Sequence, residues 1–153
     1  MWTGGVRIIV LDNQKRMLLV RQHHEDRDIW MAPGGCIEEG ESAVEAAVRE
    51  VKEETDLDIG ITRLLWHVEE VSDRGQRFVN FFLGELLEPA DHMKLGYDPE
   101  LDEDKQVLRE VRFLSRSEIE GLEVLYPDFL KDEFWDLLEN GRLEYNAFRM
   151  RDV

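Results

Sequence analysis

The feature that most constrains this chain is the stretch 35–57, GCIEEGESAVEAAVREVKEETDL. Ser42 precedes a run of helix formers, 43–54, and Glu45 three residues later completes a capping box, so a helix is expected to begin there. Val44, Ala47, Val48 and Val51 recur at helical spacing and give the helix an apolar stripe to bury. Glu50, Glu53 and Glu54 stand at i, i+3 and i+4, which places three carboxylates on one face of the same helix. Like charges so placed repel by roughly a few tenths of a kcal/mol per pair. A face that served only solubility would usually mix in lysines, and Lys52 alone is nearby. Hard divalent cations relieve such repulsion, and Mg2+ in particular binds through a few carboxylates while contacting substrate phosphates. Judged alone, an acidic helix face is most often a solvated face, so the rest of the spacing decides the matter.

Around this helix the chain alternates strand-like and turn-like segments. Residues 6–11 and 17–20 are apolar, with a turn at Asp12-Asn13-Gln14, and read as a β-hairpin. Residues 23–28 read as a polar loop, and Pro33-Gly34-Gly35 as a turn that lets backbone approach a ligand closely. Residues 59–71 and 76–87 are rich in β-branched and aromatic residues and predict a second hairpin, turning at 72–75. The polar stretch 89–104 predicts a long loop, a feature often tied to function. Residues 107–114 predict a further strand, and Ser117 is expected to cap a short turn. Residues 127–140 predict an amphipathic helix ended by Asn140-Gly141. The tail to Val153 carries no pattern. The 153 residues suit one α/β domain, 1–153, able to bury a core without staples.

The charge balance narrows the partners. Lys and Arg number 19 against 35 Asp and Glu, a formal net charge of −16. Such a surface repels nucleic acid and anionic lipid, so neither a nucleic acid nor a membrane is an expected partner. A small phosphate ligand then needs local cations. One cysteine, Cys36, leaves no internal disulfide. With no signal-like N-terminus and no run of ~18–20 apolar residues, a cytoplasmic setting is expected.

The stretch 35–57 resembles the Nudix box: a glycine, five residues, a glutamate, seven residues, Arg-Glu, an aliphatic, any residue, Glu-Glu, any residue, a glycine and an aliphatic. Gly35, Glu41, Arg49, Glu50, Val51, Glu53, Glu54 and Leu57 match in register, and Trp30 with Pro33-Gly34 looks like the usual lead-in. Asp56 departs, standing where the family has glycine. The resemblance implies an α/β/α sandwich around a mixed central sheet. It implies hydrolysis of a phosphoanhydride in a nucleoside diphosphate linked to another group: a nucleoside triphosphate, ADP-ribose or a nucleotide sugar. Glu50, Glu53 and Glu54, with the Gly35 carbonyl, would ligate Mg2+ or Mn2+. Arg49 would pair with a box glutamate, Glu41 being favoured, and hold the helix to its loop. A further acid from the long loop often serves as ligand or base. Glu100, Asp102, Glu103 and Asp104 are available, with Glu103 favoured and Glu50 competing for the role of base. Many relatives are dimers, so a homodimer is an expectation. Asp56 should alter the helix end while leaving the carboxylate face intact.

Other residues carry less. His23 and His24 lack ligand-spaced partners and read as a polar loop that touches substrate. Cys36 reads as a small packed residue. Trp30 and Trp66 read as packing, and Arg21, Arg74 and Arg77 stay unassigned. The rival from another class is a non-catalytic module that senses nucleotides or binds proteins, yet a pure binder need not keep all three carboxylates and the arginine. Isomerisation of a diphosphate ester needs a suitably placed cysteine and acid, which Cys36 inside the box does not provide.

Overall fold

The computed structural model describes residues 4–72, 75–142 and 147–152, the last segment by its main chain. Arg74 and part of the turn around it lie outside the described residues. Nine strands and three α-helices are described: β1 (Gly4–Val10), β2 (Met17–His24), β3 (Arg27–Met31), β4 (Gly34–Cys36), α1 (Ala43–Thr55), β5 (Ile59–Ser72), β6 (Gly75–Leu86), β7 (Leu108–Leu114), α2 (Arg116–Glu120), β8 (Leu125–Tyr126), α3 (Glu133–Glu139) and β9 (Ala147–Asp152). The expected α/β architecture is present, with its strands divided between two mixed sheets, ordered β4-β1-β6-β5-β9 and β7-β2-β3-β8.

Strand β1 explains why the chain closes as it does. It pairs with β6 in parallel and with β4 antiparallel, so both of its edges are used. Its faces are buried in two directions. Val6, Ile8 and Val10 join Ala46, Ala47 and Val51 of α1 in one core. Ile9 joins Trp66, Phe81 and the residues of α2 and α3 in a second. Trp66 is wedged edge-on against Phe129, ring centroids 4.8 Å apart, a favoured aromatic geometry. Among the described residues the α-helices thus cover opposite sides, α1 on one and α2 and α3 on the other.

Several sequence expectations are corrected. The first hairpin does not form: β1 and β2 meet only at a Leu11–Met17 bridge and then enter different sheets. The turn between them is as polar as expected, Asp12 Oδ1 accepting from the Gln14 and Arg16 amides, but long-range pairing decides where each strand goes. Residues 23–28 are no loop. They form the tip of a β2–β3 hairpin turning at Glu25-Asp26, an extended ribbon whose exposed end needs no apolar residues. Ser115, not Ser117, caps α2, through a capping box with Glu118. The final helix is shorter than 127–140, because a 3-10 turn, Asp128–Leu130, precedes it and Asp132 caps the new start. The patternless tail adds β9, parallel to β5. The second hairpin, β5–β6, forms as expected.

Candidate active site

Helix α1 is fixed at both ends. The Glu45 amide donates to Ser42 Oγ and the Ser42 amide to Glu45 Oε2, at 3.2 and 2.7 Å, a reciprocal cap worth ~1 kcal/mol. At the other end Asp56 adopts the left-handed conformation, φ 59°, and its amide donates to the Lys52 carbonyl at 2.9 Å. Asp56 therefore ends the helix as the family glycine would, at a steric cost that glycine avoids.

Between these ends Arg49 organises the acids. Its guanidinium donates to both Glu41 oxygens at 3.0 and 2.6 Å and to the Cys36 carbonyl at 2.9 Å. The remaining nitrogen donates to Glu50 at 3.0 Å and Glu53 at 3.2 Å. The planar fork suits this sharing in a way an ammonium does not. Arg49 holds the Glu41 carboxyl far below its usual range, at about 2, helped by the Glu38 amide. The same bonds push the Arg49 guanidinium further up.

Glu50 and Glu54 turn inward, while Glu53 stays exposed. Glu54 Oε1 accepts from the Gly34 amide at 3.1 Å, and Glu54 Oε2 is buried without a hydrogen-bond partner. Burial pushes the Glu54 carboxyl up to about 8, against the pull of Arg7. Burial also raises Glu50, which Arg49 partly counters. Gly35 lies over this pair: a side chain there would run into the Glu50 carboxylate. A cradle kept free of a Cβ, beside a buried carboxylate oxygen in want of a partner, fits a hard divalent cation with oxygen ligands. The three glutamates do not present mutually close ligand atoms. Among the described residues such a triad is formed by Asp58, Glu88 and His92, where Lys52 already pairs with Asp58 at 3.3 Å.

The long loop supplies the opposite wall. The Lys94 amide donates to the Thr55 carbonyl and the Gly96 amide to the Glu54 carbonyl, both at 2.9 Å, so the loop caps the carbonyls at the end of α1. A side chain at Gly96 would collide with the Glu53 carbonyl. Further along, buried Gln106 closes the loop on itself. It accepts from the Asp98 amide at 2.8 Å and donates to the Asp98 and Leu101 carbonyls at 2.8 and 2.9 Å. The cleft between this loop and α1 has a volume of about 900 Å³ and is lined by Glu50, Glu53 and Glu54 on one side and Tyr97, Glu100 and Leu108 among others on the second.

Most of the site residues named from the sequence meet here: Gly35, Arg49, Glu50, Glu53 and Glu54. Glu103 does not line the cleft. It sits in an exposed 3-10 turn, Glu103–Lys105, and the loop acids that do line it are Asp98 and Glu100. The closure around Gln106 sets this, and spacing alone did not reveal it. Arg7 was also missed, although a charged residue amid the apolar run 6–11 was a signal. Its guanidinium donates to the Ala32 carbonyl at 3.0 Å and is drawn to Glu54, while burial pushes it down from its ordinary value. Cys36 is exposed rather than packed. His23 pairs with Asp28 at 2.7 Å on the β2–β3 ribbon and Arg77 with buried Glu70 at 2.6 Å. Trp66 is core, and Trp30 lies under Arg112 at 5.4 Å.

Comparison with known proteins places this arrangement. The NUDIX domain profile matches residues 1–137, so the chain belongs to the Nudix family. It is similar to Nudix hydrolase 5 of Arabidopsis thaliana, 40% identical over 86 residues that cover 54% of this chain and 28% of that protein. It is also similar to a putative 8-oxo-dGTP diphosphatase of Bacillus subtilis, 49% identical over 55 residues, 36% of each chain. The matches thus span about a third of the length of these curated relatives. A NUDIX hydrolase structure from Nitrosomonas europaea superimposes with a TM-score of 0.75 at 20% identity, over 99% of this chain and 79% of that one, which shows the shared fold. Among the described residues no helix is long and apolar enough to cross a membrane.

Proposed function

We propose that this chain is a metal-dependent pyrophosphohydrolase that cuts a phosphoanhydride in a nucleoside diphosphate linked to another group. A nucleoside triphosphate is the favoured substrate class, in keeping with the 8-oxo-dGTP that names the Bacillus relative; ADP-ribose and nucleotide sugars are the other members. The observation that carries the reading is the buried Glu54 oxygen without a hydrogen-bond partner, on the same helix as a Glu50 carboxylate that lies against Gly35. Glu50, Glu53 and Glu54, with the Gly35 carbonyl, would hold Mg2+ or Mn2+. When bound, such ions neutralise phosphate charge, polarise the phosphoryl group and make a bound water acidic.

The chain's own residues do the rest. Arg49 keeps Glu50 and Glu53 turned toward one another and ties their helix to the β4 strand through the Cys36 carbonyl. Gly35 leaves room for the Glu50 carboxylate to lie close against the β4 backbone. A carboxylate must take the proton of the attacking water. Glu50 on the helix and Asp98 and Glu100 on the facing wall line the cleft, which favours these over Glu103 as candidates for the base.

The test is a substrate panel of nucleoside triphosphates, ADP-ribose, nucleotide sugars and dinucleotides, assayed for phosphate or pyrophosphate release with Mg2+ and with excess EDTA. One class turned over with a distinctly higher kcat/KM, only with metal, is expected. Turnover that persists in chelator would overturn the metal-based reading. Nucleotide binding without any turnover would replace the hydrolase with a sensing module.

A further inference from the structure

We propose that Tyr97 is the platform on which the nucleobase of the substrate stacks, an inference that rests on the cleft being a nucleotide site. Tyr97 is 64% exposed, the most exposed large hydrophobic side chain among the described residues. A scattered surface aromatic needs no explanation, but this one lines the same cleft as Glu50, Glu53 and Glu54. Its position is set without its own burial. The residue before it, Gly96, donates its amide to the Glu54 carbonyl, and the residue after it, Asp98, donates its amide to Gln106. The backbone on both sides of the ring is thereby anchored, once to the very helix that carries the acids. The hydroxyl contributes little to this, since its contact with the Leu101 carbonyl is 3.5 Å, at the limit of a hydrogen bond.

The cleft is consequently divided in its chemistry. One wall is carboxylate, suited to cations and the phosphates they carry. The other mixes Asp98, Glu100 and Gln106 with an apolar part, Tyr97, Leu101 and Leu108, in which Tyr97 supplies the one flat ring among the described lining residues. A planar aromatic ring stacks well on another flat ring, and because the backbone on both sides of Tyr97 is already anchored, binding there need not order the main chain that carries it. Of the groups in a nucleotide the base offers the widest flat π-face to such a ring, so the group recognised is a purine or pyrimidine. Its hydrogen-bonding edge is not what this wall reads, and the preference is for a ring over no ring rather than for one base over another.

The experiment compares wild type, Tyr97→Ala and Tyr97→Phe with two probes in Mg2+: the best-cleaved nucleoside triphosphate, read as KM and kcat, and inorganic tripolyphosphate, a ring-free competitor read as Ki. Tyr97→Ala is expected to raise KM roughly tenfold or more, the size of a lost base–aromatic stack, while Ki rises much less and Tyr97→Phe stays within about twofold of wild type. Because the side chain is exposed, unfolding midpoints should agree among the three. A KM unchanged in Tyr97→Ala, or a Ki that rises in parallel, overturns the platform and leaves hydrolysis standing. Loss in Tyr97→Phe equal to that in Tyr97→Ala assigns the contact to the hydroxyl and also overturns it. If wild type binds the nucleotide without cleaving it, hydrolysis fails instead, and the same comparison made on Kd decides the platform.

Discussion

Replacing Arg49 by alanine removes five hydrogen bonds at once: two to Glu41, one to the Cys36 carbonyl, and one each to Glu50 and Glu53. A bond to a charged partner contributes about 1.5–3 kcal/mol when well shielded. Here one guanidinium shares its charge among several acids, its side chain is 23% exposed and Glu53 is 58% exposed, so solvent screening takes much of that away. The Glu41 pair, with Glu41 only 17% exposed, and the carbonyl bond keep most of their worth. We expect a total loss of ~2–4 kcal/mol, read from urea unfolding followed by tryptophan fluorescence in EDTA. The loss has a pH signature. Glu41 titrates at about 2 in the folded protein against an ordinary 4.5. A lowered carboxyl stabilises the fold above its unfolded value, and the benefit is lost as pH falls toward the folded one. The Glu41 part of the gap between wild type and Arg49→Ala should therefore be fully present above 4.5 and be lost as pH falls toward 2. Turnover should fall about a hundredfold, because Glu50 and Glu53 lose their alignment. Arg49→Lys should recover only part of either quantity. A loss below ~1 kcal/mol with wild-type turnover would refute the reasoning.

Three further outcomes are expected. Glu53→Gln should lower kcat more than tenfold with an unfolding midpoint like wild type, since the side chain is exposed; an unchanged rate would remove it from the metal face. Asp56→Gly should stabilise the protein by ~0.5–1 kcal/mol in urea unfolding, relieving the left-handed backbone at φ 59°, and a destabilised variant would mean the ion pair of Asp56 with Lys52, at 3.4 Å, outweighs that strain. Gln106→Ala should cost ~2–3 kcal/mol, as the Asp98 amide and two carbonyls lose a buried partner. Faster proteolytic cleavage within 98–105 should accompany it, and wild-type resistance would show that the loop is held by other means.

What could be read from the sequence was what local chemistry decides. The capping box at Ser42 and the β5–β6 hairpin follow from local spacing and stand where expected, whereas the apolar stripe of α1 is shifted: Ala47 and Val51 are buried as expected, but Val44 is exposed and Ala46 takes its place. The failures lie where distant parts of the chain choose. Residues 6–11 and 17–20 look like hairpin partners, yet β1 is claimed on one edge by β4 and on the other by β6, some 70 residues away in sequence. The strand at 147–152 has no internal pattern because its register is supplied by β5. The loop acids could not be ranked, because their directions are set by Gln106, one buried amide that no spacing rule singles out. Arg7 is the reverse case: its conflict with an apolar strand was visible, but its meaning required Glu54, 47 positions later, to be placed beside it.

The way the long loop is fastened to α1 has a consequence for how such a protein can change. Its fastenings at Lys94 and Gly96 are made by main-chain amides to main-chain carbonyls, and only position 96 is bound to one amino acid, since the Glu53 carbonyl leaves no room for a side chain. Leu95 and Tyr97, on either side, are both exposed. Their identities can be exchanged without moving the strip of backbone that carries them. A lineage, or an engineer, can in this sense change the side chains on either side of the fastening while the distance from the loop to the acidic helix stays fixed by a glycine.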